Sequence, residues 1–221
     1  VWDWGHLPGV TAFEGAKRIR KEDFAGSVIA GFASLSVMDY KLQGDAGQHL
    51  SAHKVWACHG QEVVCLIAGI EATKIEKTAF TTLDQSRLQG LVTVDQPGNH
   101  VREGLLHLKN VHWIHHGNFL YIPLKPASVD LTSGVVKGNW HYITDAGAVA
   151  GMKDSVFMPV LLHNLVANGI NDGYVITACK NPKDAPAMYQ HGDWTILRND
   201  SICQAVHFKD GTIQSAFYAA G

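Results

Sequence analysis

Chemistry in this 221-residue sequence has to come from thirteen histidines, six tryptophans and scattered carboxylates. The densest group is His112-Trp113-Ile114-His115-His116. Alternate residues of a strand share a face, so His112, Ile114 and His116 point one way and Trp113 and His115 the other. His112 and His116 are then well apart along the strand. No acidic ligand stands beside them in the sequence, which favours hydrogen-bonded or surface histidines over a metal centre. Cys58, Cys65, Cys179 and Cys203 form no CxxC pair and suggest no zinc site. Buried free thiols are the expectation, with one disulfide left open. Calcium is not indicated. No GxSxG elbow, HExxH, P-loop or GxGxxG occurs. Asp3, Asp39, Glu62, Glu71 and Asp84 qualify for acid–base work by residue type alone. Glu62 follows Gly60-Gln61 at an expected hairpin, where a solvated acid is the ordinary reading.

The aromatic residues carry more information. A sugar ring has an apolar C–H face on which an indole stacks. Trp2 and Trp4 alternate onto one face if their segment is extended. That spacing fits a glycan platform, and it equally fits a buried anchor. Trp56 and Trp140 sit inside apolar runs and read as core. Lys17, Arg18, Arg20 and Lys21 make a basic run that suits either a sulfate or carboxylate contact or a solvated loop.

The elements that must position these groups read as strands. Hydrophobic residues make up 46% and charged residues 17%, which is the composition of a folded chain. A formal charge of −2 offers no global basic field for nucleic acid or an acidic glycan. No run of 18 apolar residues suggests a membrane span. Short runs rich in Val, Ile, Thr and aromatics recur at Ala33–Leu42, His53–Cys58, Glu62–Ile70, Lys77–Leu83, Val111–Leu124, Asn139–Ile143, Val156–His163, Tyr174–Cys179 and Ile202–Phe208. Turn pairs such as Gly60-Gln61, Gly98-Asn99, Gly117-Asn118 and Asp210-Gly211 separate them. Only Asp184–Gln190 suggests a helix. The pattern is that of a sandwich or barrel in one domain spanning residues 1–221.

Several segments, taken in order, resemble the polysaccharide lyase family of chondroitin AC and ABC lyase, hyaluronate lyase and xanthan lyase. Trp2-Asp3-Trp4-Gly5-His6-Leu7-Pro8-Gly9-Val10-Thr11 resembles the entry to that family's central domain. Ala52-His53-Lys54-Val55-Trp56 is similar to its "A(R/K)KSWF" strand, Glu62–Ile70 to "EIVxLGxGI", and Thr81-Thr82-Leu83-Asp84-Gln85 to "TTLxQ". Gly138–Ile143 resembles "GSWxxIN", His163-Asn164 through Ile176 resembles "HGxxPxxxxYxY", and Gln204-Ala205-Val206 resembles "QAV".

The resemblance implies an all-β fold, a large antiparallel super-sandwich of many short strands, galactose-mutarotase-like. It implies the central domain of a larger secreted or periplasmic bacterial lyase whose N-terminal helical toroid is absent from this sequence. Such enzymes cleave uronic-acid glycosaminoglycans of the chondroitin or hyaluronan type by β-elimination, and this domain forms one wall of the cleft. The partners implied are an acidic polysaccharide and the helical domain, not nucleic acid or membrane, and no cofactor is implied. The isolated chain is then expected to be inactive. The acidic position expected from this domain falls near Ala30-Gly31, with Glu22 and Asp39 as displaced alternatives, so no catalytic residue is named. The residues expected to face glycan are Trp2, Trp4, His6 and His115. Two other readings remain: a stand-alone carbohydrate-binding β-sandwich, and a sugar epimerase or mutarotase in which Glu62 meets a histidine on a concave face.

Overall fold

The structure, a computed structural model, describes residues 2–16, 18–19, 24–75, 78–95, 104–138, 151–165 and 169–219. The expected strand at Asn139–Ile143, with Trp140, lies outside the described residues, as do Lys17, Arg20, Lys21, Glu22 and the Gly98-Asn99 turn.

The strands begin with β1 Thr11–Phe13, β2 Arg18–Ile19, β3 Ala25–Ala30, β4 Ala33–Gln43, β5 His49–His59 and β6 Glu62–Thr73. They continue with β7 Ala79–Thr82, β8 Ser86–Arg87, β9 Thr93–Val94, β10 Gly104–Val111, β11 Ile114–His116 and β12 Phe119–Pro123. The last are β13 Ala127–Gly138, β14 Met152–His163, β15 Ile170–Ala178, β16 Trp194–Asn199, β17 Cys203–Phe208 and β18 Ile213–Phe217, with helix α1 at Ala185–Gln190. Among the described residues these form a nine-stranded sheet (β2-β4-β5-β6-β15-β12-β11-β9, with β3 on β4), a six-stranded sheet (β1-β7-β14-β13-β10, with β8 on β14) and a three-stranded sheet (β16-β17-β18). Neighbouring strands are antiparallel, as in β4–β5, β5–β6, β13–β14 and β15–β6. The all-β antiparallel super-sandwich expected from the sequence is the fold observed.

Strand β6 explains the layering. Val64, Cys65, Leu66, Ile67 and Ala68 are all buried, so both faces of this strand are covered. Cys65 and Ile67 pack with Val129, Leu131, Phe157 and Leu161 of the six-stranded sheet. Val64 and Leu66 turn the other way, onto Val206, Phe208 and Ala216 of the three-stranded sheet and Ala185 of α1. A third cluster, with Phe13, Tyr40, Leu50 and Phe80, closes the end where β1 and β7 meet β4 and β5. The nine-stranded sheet is thus the middle of three layers. The β15 backbone approaches β6 so closely at Gly173 that a β-carbon there would run into the Cys65 carbonyl oxygen. All four cysteines are free thiols.

Candidate functional site

Residues 2–9 precede the first strand and form a turn, not the extended segment that the Trp2–Trp4 alternation suggested. His6 N–H donates to the Asp3 carbonyl at 3.2 Å, which closes the turn. Trp2 and Trp4 are 44% and 59% exposed, so neither is a buried anchor. Side chains fix the turn where a ladder cannot. Gln85, buried just after β7, accepts from Asp3 N–H through Oε1 at 2.6 Å. Its Nε2 donates to the carbonyl oxygens of Asp3 and His6 at 3.0 and 2.7 Å. Asp3 accepts from Gly5 N–H and pairs with His6 Nδ1 at 2.9 Å, and the His6 bond holds its carboxyl below the ordinary range. The His6 ring stacks on Phe80 with centroids 4.6 Å apart. Gly9, at φ 77°, passes the chain into β1 and donates to the Thr82 carbonyl.

Below the turn runs a buried polar chain. Lys54 Nζ donates to the Gly9 carbonyl at 2.5 Å and to Thr11 Oγ1 at 2.9 Å, and lies 5.2 and 5.1 Å from the Tyr40 and Trp56 ring centroids. Burial pushes its pKa down to about 8. Thr11 and Thr81 share a hydroxyl hydrogen bond at 2.8 Å, and Thr81 Oγ1 meets His163 Nε2 at 2.7 Å. His163 Nδ1 reaches Asp172 Oδ2 at 3.0 Å. This chain crosses between the six- and nine-stranded sheets, since Thr11, Thr81 and His163 belong to the first and Lys54 and Asp172 to the second.

The histidine cluster is separated by the fold. Strand pairing stops at Val111 and resumes at Ile114, so His112 lies outside the strands. Its Nδ1 meets Asp95 Oδ2, an acid distant in sequence, at 2.5 Å. His115 is 4% exposed, with Nε2 on the Cys179 carbonyl at 2.9 Å. That position is inside the protein, away from the surface carrying Trp2, Trp4 and His6. His116 stacks on Phe157, and its Nε2 accepts from Gln89 N–H at 2.9 Å. Burial lowers its pKa.

The carboxylates are distributed rather than convergent. Asp84 accepts from Tyr121 Oη at 2.6 Å and from Ser86 Oγ at 3.1 Å. Asp39 pairs with Lys41 Nζ at 2.7 Å and lies 3.6 Å from His53 Nε2, whose ring stacks on Tyr218 at 3.9 Å. Ala30 closes the exposed β3–β4 hairpin. Glu62 is at the expected hairpin, opposite His59 in the register, but it is half-buried and not a solvated turn acid. Burial, then the neighbouring Asp193, raises its pKa. Gln85, Lys54, His163 and Asp172 were missed by residue chemistry. The only signal was that all four stand in segments quoted for strand and turn resemblance.

Residues 1–187 match the family model described as "Polysaccharide lyase family 8, super-sandwich domain". The chain is 28% identical over 233 residues to chondroitinase-AC of Pedobacter heparinus, covering all of this chain and 32% of that protein. A solved chondroitinase AC lyase, studied in oligosaccharide complexes, aligns at TM-score 0.84 and 27% identity over 100% of this chain and 34% of its own. The Paenibacillus xanthan lyase structure shares the fold at TM-score 0.85 and 19% identity, with 98% of this chain and 22% of that one covered. The chain therefore spans about a third of the curated relative it matches.

Proposed function

This chain belongs to polysaccharide lyase family 8, and on that premise we propose that it is the central domain of a secreted or periplasmic lyase. Its substrate would be a uronic-acid glycosaminoglycan of the chondroitin or hyaluronan type. The reaction is β-elimination. A base removes the proton α to the uronate carboxyl group, the electron pair passes through the enolate, and the glycosidic C–O bond breaks as an acid protonates the leaving oxygen. Base, acid and enolate-stabilising groups come from a helical domain of the same parent protein, and this domain supplies a wall of the cleft. The observation supporting that role is the exposed Trp2–Trp4 pair on a turn pinned by Gln85. A rigid turn presents indoles to successive sugar rings without an ordering cost at binding. His6 and Asp3 stand beside them with polar groups for ring hydroxyls.

The test compares the 221-residue chain with the longer parent on chondroitin sulfate, reading the ultraviolet absorbance of the unsaturated product. The parent is expected to form product and the chain alone none. Trp4→Ala in the parent should lower kcat/KM about thirtyfold, the equivalent of losing an interface anchor worth roughly 2 kcal/mol. Full lyase activity from this chain alone would refute the wall-domain reading. Glycan binding with no elimination in any context would favour a stand-alone binding module.

A further inference from the structure

A cavity of about 390 Å³ opens on the other side of the nine-stranded sheet, between the β5–β6 hairpin, the end of β15, α1 and the β17–β18 turn. Its size suits a small ligand of one or two rings. The wall carries charged groups in an unusual balance. His59 Nε2 pairs with Asp210 Oδ2 at 2.9 Å, and Lys209 Nζ pairs with Asp193 Oδ1 at 2.7 Å. Glu62 is the third carboxylate, and it accepts from Asp193 N–H. His59 Nδ1 is buried without a hydrogen-bond partner among the described residues. Gln61 and Thr177 add an amide and a hydroxyl, and Phe208, Met188 and Ala178 form an apolar side.

We propose that this cavity is a carbohydrate site for an uncharged sugar, separate from the Trp2–Trp4 surface. The groups are the two kinds that a sugar ring needs. Carboxylate oxygens accept from adjacent hydroxyls, Lys209 and Gln61 donate, and the partly exposed Met188–Ala178 side meets the ring's C–H face, while Phe208 lies beneath the His59 ring. Charge decides between sugars. Glu62, Asp193 and Asp210 face one lysine and one histidine, so the wall is net negative whichever form His59 takes, and a uronate or sulfate would add a like charge to a half-buried carboxylate. The acidic residues of a glycosaminoglycan are thereby excluded, and a neutral ring is admitted. The proposal does not depend on the function assigned to the Trp2–His6 turn.

The experiment is a ¹H–¹⁵N titration of the chain with three rings of one shape: glucose, glucuronate and glucosamine. N-Acetylgalactosamine is added as a second neutral probe. Neutral sugars are expected to shift the amides of Gln61, Glu62, Thr177 and Lys209, and glucuronate to leave them unmoved. Glu62→Gln keeps the shape and should weaken neutral-sugar binding about tenfold, with Thr177→Val as a second variant should the first perturb the hairpin. Trp4→Ala should leave these shifts unchanged. No shift with either neutral sugar would overturn the proposal. Glucosamine, a cation, is expected to bind at least as well as glucose beside the net negative wall; glucuronate binding as tightly as glucose would overturn the proposal too.

Discussion

Replacing Gln85 with Ala should detach the aromatic turn while leaving the sandwich folded. Gln85 makes three hydrogen bonds to residues 3 and 6, at 2.6, 3.0 and 2.7 Å. Each is worth about 1 kcal/mol net, so about 3 kcal/mol is an upper bound. The freed Asp3 and His6 groups lie at the surface and regain water, which brings the loss to roughly 2 kcal/mol, or about thirtyfold in the local opening equilibrium. The Gly9–Thr82 bond remains, so opening is confined to residues before Gly9. Hydrogen exchange at the Asp3 and His6 amides reads this directly. Both should exchange about thirtyfold faster in the variant, with β6 amides unchanged. Gln85→Glu keeps the acceptor for Asp3 N–H and sets a carboxylate against two carbonyls, so it should open the turn at least as far. If Gln85→Ala lowers global stability without speeding exchange at Asp3, the residue is packing and not a clamp.

Other outcomes follow from buried polar groups. Lys54 binds its proton less tightly in the fold, at about 8, than in the unfolded chain, near 10.5. The unfolded state then holds more protons between those values, and stability should rise with pH through that window by up to about 3 kcal/mol. Burial raises the Tyr121 and Tyr174 hydroxyls, so above their ordinary value of 10.0 the sign reverses and stability should fall. Melting temperatures from pH 7 to 11 check both limbs, and Lys54→Met should flatten the first. His163→Ala leaves Asp172 buried without its ring partner and should cost about 3–5 kcal/mol in urea unfolding. A loss below about 1 kcal/mol would show that Lys125, 3.8 Å from Asp172, suffices.

Strands whose two faces are buried were legible because burial leaves a run of apolar residues. Glu62–Ile70 and Val156–His163 were read nearly to their bounds for that reason. Strand β3 was not read, since Ala-Gly-Ser-Val-Ile-Ala is exposed throughout and its placement comes from pairing with β4. Strand β13 was missed because Asp130, Ser133 and Gly134 interrupt its apolar residues, although β10 and β14 hold it on both sides. The three-stranded sheet was half legible. Its β17 is buried, while Leu197 of β16 and Ile213 and Phe217 of β18 face outward and mimic no alternation toward a core. At the candidate site, Trp2 and Trp4 could be named by type, but their exposure depends on a turn closed by a glutamine 82 residues away. His115 resembled its neighbours in sequence, and only the Cys179 carbonyl explains why it is internal.

The turn is tethered to two different sheets, and this makes its position a property of the whole sandwich. Gln85, just after β7, holds residues 3 and 6, while Lys54 of β5 in the nine-stranded sheet holds the Gly9 carbonyl. Two tethers on one short segment cannot act independently, since losing one lets the segment move away from the other. A double-mutant cycle of Gln85→Ala and Lys54→Met, read by exchange at the Asp3 amide, should therefore show coupling of about 0.5–3 kcal/mol. Lys54 also carries the cost of its own burial, so Lys54→Met is expected to raise global stability at pH 7 even as it loosens Gly9. A fold that keeps a buried lysine at such a cost gains a fixed point for the turn that carries Trp2 and Trp4. Strict additivity in the cycle would break that link, and the lysine would then be a feature of the core alone.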